Sequence, residues 1–99
     1  MSKKLYEPGY SAYGGERDGR GWPKFVDAEG RAWIVERVKE VLETYPPTTL
    51  RVIERLAWGN AVNGVPECLR KVSLWEARYA VVHRALLEAG AEELWGAGA

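Results

Sequence analysis

The chain has 99 residues, of which 46% are hydrophobic and 11% aromatic. This is enough apolar material for one small folded domain, and it argues against global disorder. Fourteen basic and fourteen acidic residues leave no net charge, which counts against strong non-specific binding to nucleic acid. One cysteine and one histidine exclude an intrachain disulfide and a structural zinc site, and no apolar run is long enough to span a membrane.

The same composition indicates a cellular setting. The N-terminal "MSKKLYEPGY" lacks the apolar stretch of a secretory signal, and a single thiol suits a reducing compartment. We therefore expect a cytoplasmic protein or one enclosed in a virion. The low content of Asn, Gln, Cys and Met, together with many charged residues, is typical of a thermophile.

The N-terminal quarter differs in composition from the rest. Residues 1–24 interleave Tyr, Gly, Arg and Trp without a helical or strand period, and their glycines make an ordered backbone entropically costly. Residues 1–26 also hold the only local basic surplus, five basic against three acidic side chains. We therefore expect a flexible arm over residues 1–24 and one domain over residues 25–99. The arm's candidate contacts are Arg17, Arg20 and Lys24 for nucleic acid, and Tyr10, Tyr13 and Trp22 for a protein partner.

The segment between residues 24 and 33 permits two interpretations. Residues 27–30 have the composition of a tight turn, which would join residues 24–26 and 31–33 into a short β-hairpin. In the alternative interpretation, Asp27 caps the first turn of a helix. The sequence leaves both open.

Two amphipathic helices follow, separated by Pro46 and Pro47. Over residues 34–45, apolar side chains recur at the spacing of one helix face. Thr48 or Thr49 can cap the next helix, which we expect to run to Trp58. Its predicted buried stripe consists of Leu50, Ile53, Leu56 and Ala57. The opposite stripe consists of Arg51, Glu54, Arg55 and Trp58, which puts the indole on the charged side.

The last third of the chain predicts a loop, a short helix and a long helix. Gly and Asn mark residues 59–65 as a loop, and Pro66 fits the start of a short helix over residues 67–72. Ser73 and Glu76 have the spacing of a capping box, which would open a long helix that stops at Gly90. Together the elements predict a mainly α domain of three or four helices behind an extended arm.

The sequence holds no recognisable catalytic pattern. Cys68 and His83 are the only thiol and imidazole and fall on different predicted elements, and Ser73 is better explained as a helix cap. The glycine-rich run over residues 13–21 lacks the Gly-Lys-Ser/Thr ending of a phosphate-binding loop. We therefore expect no enzymatic activity, no cofactor, no metal and no small-molecule substrate.

Residues 50–95 carry a resemblance to a known family. Their order of support helix, short helix, tight turn, long helix and the exit "LLEAG" resembles the winged-helix family of helix-turn-helix DNA-binding proteins. The resemblance implies transcriptional regulation, with residues 73–89 as a recognition helix in the major groove of double-stranded DNA. The implied contact residues are Arg70, Lys71, Arg78, His83 and Arg84. The first two would hold the phosphate backbone, and the others lie on or beside the exposed face of the recognition helix.

The layout of the chain carries a second resemblance. An arm with Tyr, Trp and Arg over residues 10–25, before a helical body over residues 34–95, is similar to the coat proteins of archaeal filamentous viruses. In those proteins paired subunits enclose DNA, so the resemblance implies self-assembly. A variant without nucleic acid is a protein-docking inhibitor or adaptor that uses tryptophan anchors. The anchor candidates are Trp22, Trp58, Trp75 and Trp95.

Overall fold

The computed structural model describes residues 5–6, 13–61 and 63–93, with only the backbone described at residues 5–6 and 92–93. Within these ranges the helices are α1 (Ala28–Thr44), α2 (Leu50–Glu54), a π segment (Arg55–Gly59), α3 (Glu67–Arg70) and α4 (Trp75–Glu88). Two short strands, β1 (Leu5–Tyr6) and β2 (Glu92–Glu93), pair in parallel. The prediction of a small, mainly α domain is confirmed.

Helix α1 begins where Asp27 caps it. The Asp27 carboxylate accepts a hydrogen bond from the backbone N–H of Gly30 at 2.8 Å, while the backbone at the cap is extended. The helical interpretation of this segment is therefore correct. The β-hairpin at residues 24–33 is wrong, because residues 31–33 lie inside the helix. The helix ends at Thr44, just before the two prolines that were predicted to stop it.

The second predicted helix is present but changes type midway. Thr49 caps α2 as predicted. From Arg55 onwards the chain forms a π-helix, in which the N–H of Asn60 bonds to the carbonyl of Arg55 at 2.9 Å. The guanidinium of Arg37, on α1, donates to the carbonyl of Ala57 at 2.8 Å and so occupies an acceptor within this turn.

The predicted buried stripe of that helix is partly wrong. Glu54 and Trp58 were expected on the charged side but are only 5% and 3% exposed, whereas Leu56 is half-buried. The buried positions are Leu50, Ile53, Glu54, Ala57 and Trp58. They follow the full i, i+3, i+4, i+7, i+8 spacing of an amphipathic helix. Burial of Glu54 is tolerated because Arg78 of α4 neutralises its carboxylate.

Helix α4 begins later than the sequence predicts. Its N-cap is Leu74, and no side chain caps it, so the predicted capping box of Ser73 and Glu76 is wrong. The turn before the helix is held from within α4 instead, because Nη1 of Arg78 donates to the carbonyl oxygen of Val72 at 2.8 Å. Ser73 is left exposed on the surface.

The end of α4 matches the prediction. Gly90 has a φ of 87°, a left-handed conformation that glycine adopts without strain. The N–H of Gly90 bonds to the carbonyl of Leu87, and the N–H of Ala91 bonds to that of Leu86, which together form a Schellman motif. Helix α3 is shorter than predicted, since it ends at Arg70.

The core lies between α1, α2, the π segment and α4, with α4 at its centre. The buried residues of α4 are Ala77, Ala80, Val81, Val82, Ala85 and Leu86. Ala80 is thus buried, whereas Tyr79 is only half-buried. Small side chains on two sides of α4 allow both α1 and α2 to pack closely against it.

The segment before α1 is folded against the helices. Its turn is closed by the Asp18 carboxylate, which accepts from the backbone N–H of Arg20 at 2.8 Å and of Trp22 at 3.0 Å. Burial alone would raise the pKa of Asp18, but these two hydrogen bonds outweigh it and hold the pKa below its ordinary value. Trp22 is fully buried in the core. Residues 13–24, placed in the arm by composition, therefore pack on the body.

Candidate functional site

Arg78, a predicted DNA contact, is turned toward the interior. Its Nε and Nη2 donate to one carboxylate oxygen of Glu54 at 2.8 and 2.6 Å, and its guanidinium lies 4.1 Å from the centre of the Trp58 ring. The Arg78 side chain is 20% exposed. Arg78 therefore joins α4 to α2. Trp58, a predicted partner anchor, is buried beneath it and is only 3% exposed.

A second charged cluster joins the N-terminal segment to α4. One oxygen of Glu88 accepts from the indole N–H of Trp22 at 3.0 Å, from Arg20 at 3.0 Å and from Arg84 at 3.4 Å. Burial alone would raise the pKa of Glu88, but the Trp22 hydrogen bond and the charge of Arg20 outweigh it and lower the pKa. Arg20, Trp22 and Arg84 are thus engaged within the chain.

The remaining predicted contacts of the N-terminal segment are also paired. Arg17 donates to a backbone carbonyl in its own turn at 2.9 Å and lies 5.3 Å from the centre of the Tyr13 ring. Tyr13 packs edge-on against Phe25. Lys24 forms an exposed ion pair with Glu16 at 3.1 Å, a geometry of small energetic weight. Tyr10 and Trp95 lie outside the described residues.

A different group of cations faces solvent. Arg51, Arg55 and Lys71 are exposed and make no ion pair with the residues that the structure describes. Arg70 is also exposed and uses its Nε alone, which donates to the carbonyl of Val65 at 2.8 Å. These side chains keep their guanidinium and ammonium donors available to an external ligand.

Three clefts that share lining residues follow one another along α2, the π segment and the loop after it. The central cleft, of about 320 Å³, shares Arg55 with a cleft of about 510 Å³ that reaches Arg51. It shares Gly59 and Arg78 with a third cleft, of about 400 Å³, that reaches Arg70. We call this surface the arginine groove. Its charged lining residues are Arg51, Arg55, Arg70, Arg78 and Glu54.

The arginine groove concentrates positive charge, although the chain as a whole has no net charge. Four arginines and one carboxylate line it, which gives a net charge of four minus one, or +3. The carboxylate, Glu54, is already neutralised by Arg78. The groove therefore presents three cationic side chains, Arg51, Arg55 and Arg70, without a competing anion among its described lining residues.

An exposed aromatic side chain lies at the central cleft. Trp75 lines it beside Arg55 and is 57% exposed, and its ring contacts Tyr79 with 5.6 Å between ring centres. Asn60 and Ser73 line the same cleft and supply neutral hydrogen-bonding groups. Trp75 was predicted from the sequence as an anchor, whereas Arg51 and Arg55 were predicted only as part of a charged helix face and not as contact residues. Their signal is an i, i+4 arginine pair on the polar face of a helix that runs into a Gly/Asn loop.

Two other predicted contacts on the helix-turn-helix elements, Lys71 and His83, do not line the groove. Lys71 is exposed in the turn after α3 but does not line the groove. His83 is half-buried on α4 and makes contacts within the chain. The described residues hold no cluster of three or more metal-binding side chains.

Comparison of this chain with protein-family models, with curated proteins and with solved structures found no match. Among the described residues, no helix is both long enough and apolar enough to cross a membrane. We therefore infer the ligand from the side chains that line the arginine groove.

Proposed function

We propose that this protein binds nucleic acid through the phosphate backbone and that the arginine groove is the contact surface. The observation that supports this most is the run of three connected clefts along which Arg51, Arg55 and Arg70 are placed without an unpaired carboxylate. The guanidinium group is a planar fork that matches phosphate oxygens. A chain of phosphates supplies repeated negative charge along the length of such a groove.

Nucleic acid remains the proposed partner, but the contact residues differ from those predicted for a recognition helix. A recognition helix at α4 would depend on Arg78 and Arg84, and both are paired with carboxylates of the chain itself. Releasing either side chain for DNA would leave Glu54 or Glu88 with less compensation in a partly buried place. The exposed cations without an ion pair among the described residues lie instead on α2, at the start of the π segment and at the end of α3. A role in transcription stays a prediction of the family resemblance.

Fluorescence anisotropy of short labelled oligonucleotides tests the proposal. The double variant Arg51→Ala/Arg55→Ala removes two charges from the groove. The double variant Lys24→Ala/Lys39→Ala removes two charges from exposed ion pairs elsewhere and is the matched control. We expect the groove variant to bind at least about tenfold more weakly at low salt, and to lower the salt slope by about two because two phosphate contacts are lost.

Equal losses in the two double variants would show that bulk charge alone controls binding and would contradict the proposal. Circular dichroism checks that both variants keep the helical content and thermal midpoint of the parent. Absence of binding to any oligonucleotide would also contradict the proposal, and an acidic protein segment would then be the ligand to test next.

A further inference from the structure

The form of the nucleic acid can be inferred from the shape of the site. Double-stranded DNA is read by an element that projects into its major groove, which is about 12 Å wide. The first turn of α4 carries the exposed carboxylate of Glu76, and its one cation, Arg78, is paired with Glu54, so this turn is poorly suited to enter a major groove. The exposed arginines lie along the clefts beside it instead. A flexible strand can adapt its backbone to such clefts more readily than a rigid duplex can.

The exposed indole supplies a second, independent reason. Trp75 shares the central cleft with Arg55, and Tyr79 supports its ring from within α4. Leu74, the preceding residue, is 67% exposed but does not line the cleft. Proteins that bind single strands combine a positive groove for the backbone with aromatic rings on which unpaired bases stack. In a duplex those base faces are already stacked on each other.

We infer that the ligand of the arginine groove is single-stranded nucleic acid, with the phosphate backbone on Arg51 and Arg55 and one base stacked on Trp75. This inference rests on the proposed function and adds the strand form to it. Asn60 and Ser73, in the same cleft, are placed to donate to or accept from the edge of that base. Trp58 takes no part, because Arg78 covers its ring.

The test compares an oligothymidylate of about 12 nucleotides with a mixed-sequence duplex of the same length. We expect the parent protein to bind the single strand more tightly than the duplex. Trp75→Ala should weaken binding of the single strand by about fivefold or more, while Trp75→Phe keeps most of the affinity because a ring remains. Neither variant should change the salt slope, since no charge is removed.

Leu74→Ala is the matched control, because it removes an exposed apolar side chain next to Trp75 without removing a ring. Tighter binding of the duplex, or equal affinity of Trp75→Ala and Leu74→Ala for the single strand, would overturn the inference. The proposed function is tested separately by Arg51→Ala/Arg55→Ala. If that variant loses affinity while either of these two results is found, the arginine groove still binds nucleic acid and only the single-strand inference fails. Failure of both probes to bind would overturn the two together.

Discussion

Glu54 on α2 and Arg78 on α4 are joined through a single carboxylate oxygen, which accepts two hydrogen bonds at 2.8 and 2.6 Å. The same guanidinium covers the Trp58 ring and holds the Val72 carbonyl, so one side chain connects α4 to a carboxylate, an indole and a turn. Arg78 also separates two clefts of the arginine groove. The pair therefore supports the fold and shapes the candidate site at once.

The first prediction concerns the stability that Arg78 provides. Arg78→Ala should lower the free energy of unfolding by about 3 kcal/mol, because it leaves the Glu54 carboxylate buried without a counter-charge. The double variant Glu54→Leu/Arg78→Met should recover most of that loss, since neither charge remains. Urea denaturation followed by circular dichroism measures both. A loss below about 1 kcal/mol for Arg78→Ala would mean that the carboxylate relaxes into water.

The second prediction contrasts a buried and an exposed tryptophan. Trp22→Ala should lower the free energy of unfolding by about 4 kcal/mol, because it empties a core position and removes the indole hydrogen bond to Glu88. Trp75→Ala should change it by less than about 0.5 kcal/mol, since its side chain is mostly in water. Thermal melts of the two variants give the comparison. Equal midpoints would show that residues 13–24 do not depend on Trp22 for their packing.

The third prediction concerns pH. The pKa of Glu88 is lower in the folded chain than its ordinary value of 4.5, so the folded state holds the charged carboxylate more favourably than the unfolded state does. The resulting stabilisation is present above the unfolded pKa and is lost as the pH falls through the folded pKa. Glu88→Gln should therefore be less stable than the parent at neutral pH and approach it in acid.

Urea denaturation of the parent and of Glu88→Gln at several pH values between about 7 and about 3 measures this difference. Asp18 and Asp27, whose pKa values are also lowered, are present in both proteins, so their contributions cancel in the comparison. A stability difference that stays constant over the whole range would show that Glu88 acts through packing and neutral hydrogen bonds.

The fourth prediction concerns close packing at the start of α1. A Cβ atom at Gly30 would lie 2.5 Å from Sγ of Cys68 and 3.1 Å from Cγ1 of Val26. Gly30→Ala should therefore lower the free energy of unfolding by about 1–3 kcal/mol, although alanine favours a helix by about 1 kcal/mol. In a Cys68→Ala background the same substitution should cost clearly less. A stabilising Gly30→Ala in the parent chain would contradict the close approach.

Local signals in the sequence were sufficient to predict where several helices begin or end. Asp27 and Thr49 act as caps, and Gly90 stops α4, because each depends on residues within one helical turn. Burial was harder to predict. Glu54 is buried because of its pairing with Arg78, which depends on the packing of α4 against α2 and is not revealed by composition. Ser73 does not cap α4, and the turn before the helix is held by Arg78, a contact over six residues that the capping pattern does not indicate.

The candidate site was likewise predictable where it depends on one helix and not where it depends on contacts between helices. The arginine pair at Arg51 and Arg55 could be read from one helix face. Its relation to Arg70 and Trp75 could not, because those residues belong to α3 and α4 and reach the groove only through the tertiary packing of the helices. Trp22 was assigned to a flexible arm because the glycines around it make ordering of the segment entropically costly. Glycine content does not reveal that burial of the Trp22 side chain offsets that cost.

The π segment holds one residue more than an α turn would in the same place, and it ends at Gly59, where two clefts meet. The wide turn absorbs that residue, so deleting one residue within Arg55–Gly59 should convert it into an α turn and leave the following positions nearly in place. The same deletion in a regular part of a helix would rotate every following position by about 100°. The π segment is therefore the point in this chain where a change in residue number should disturb the helix least.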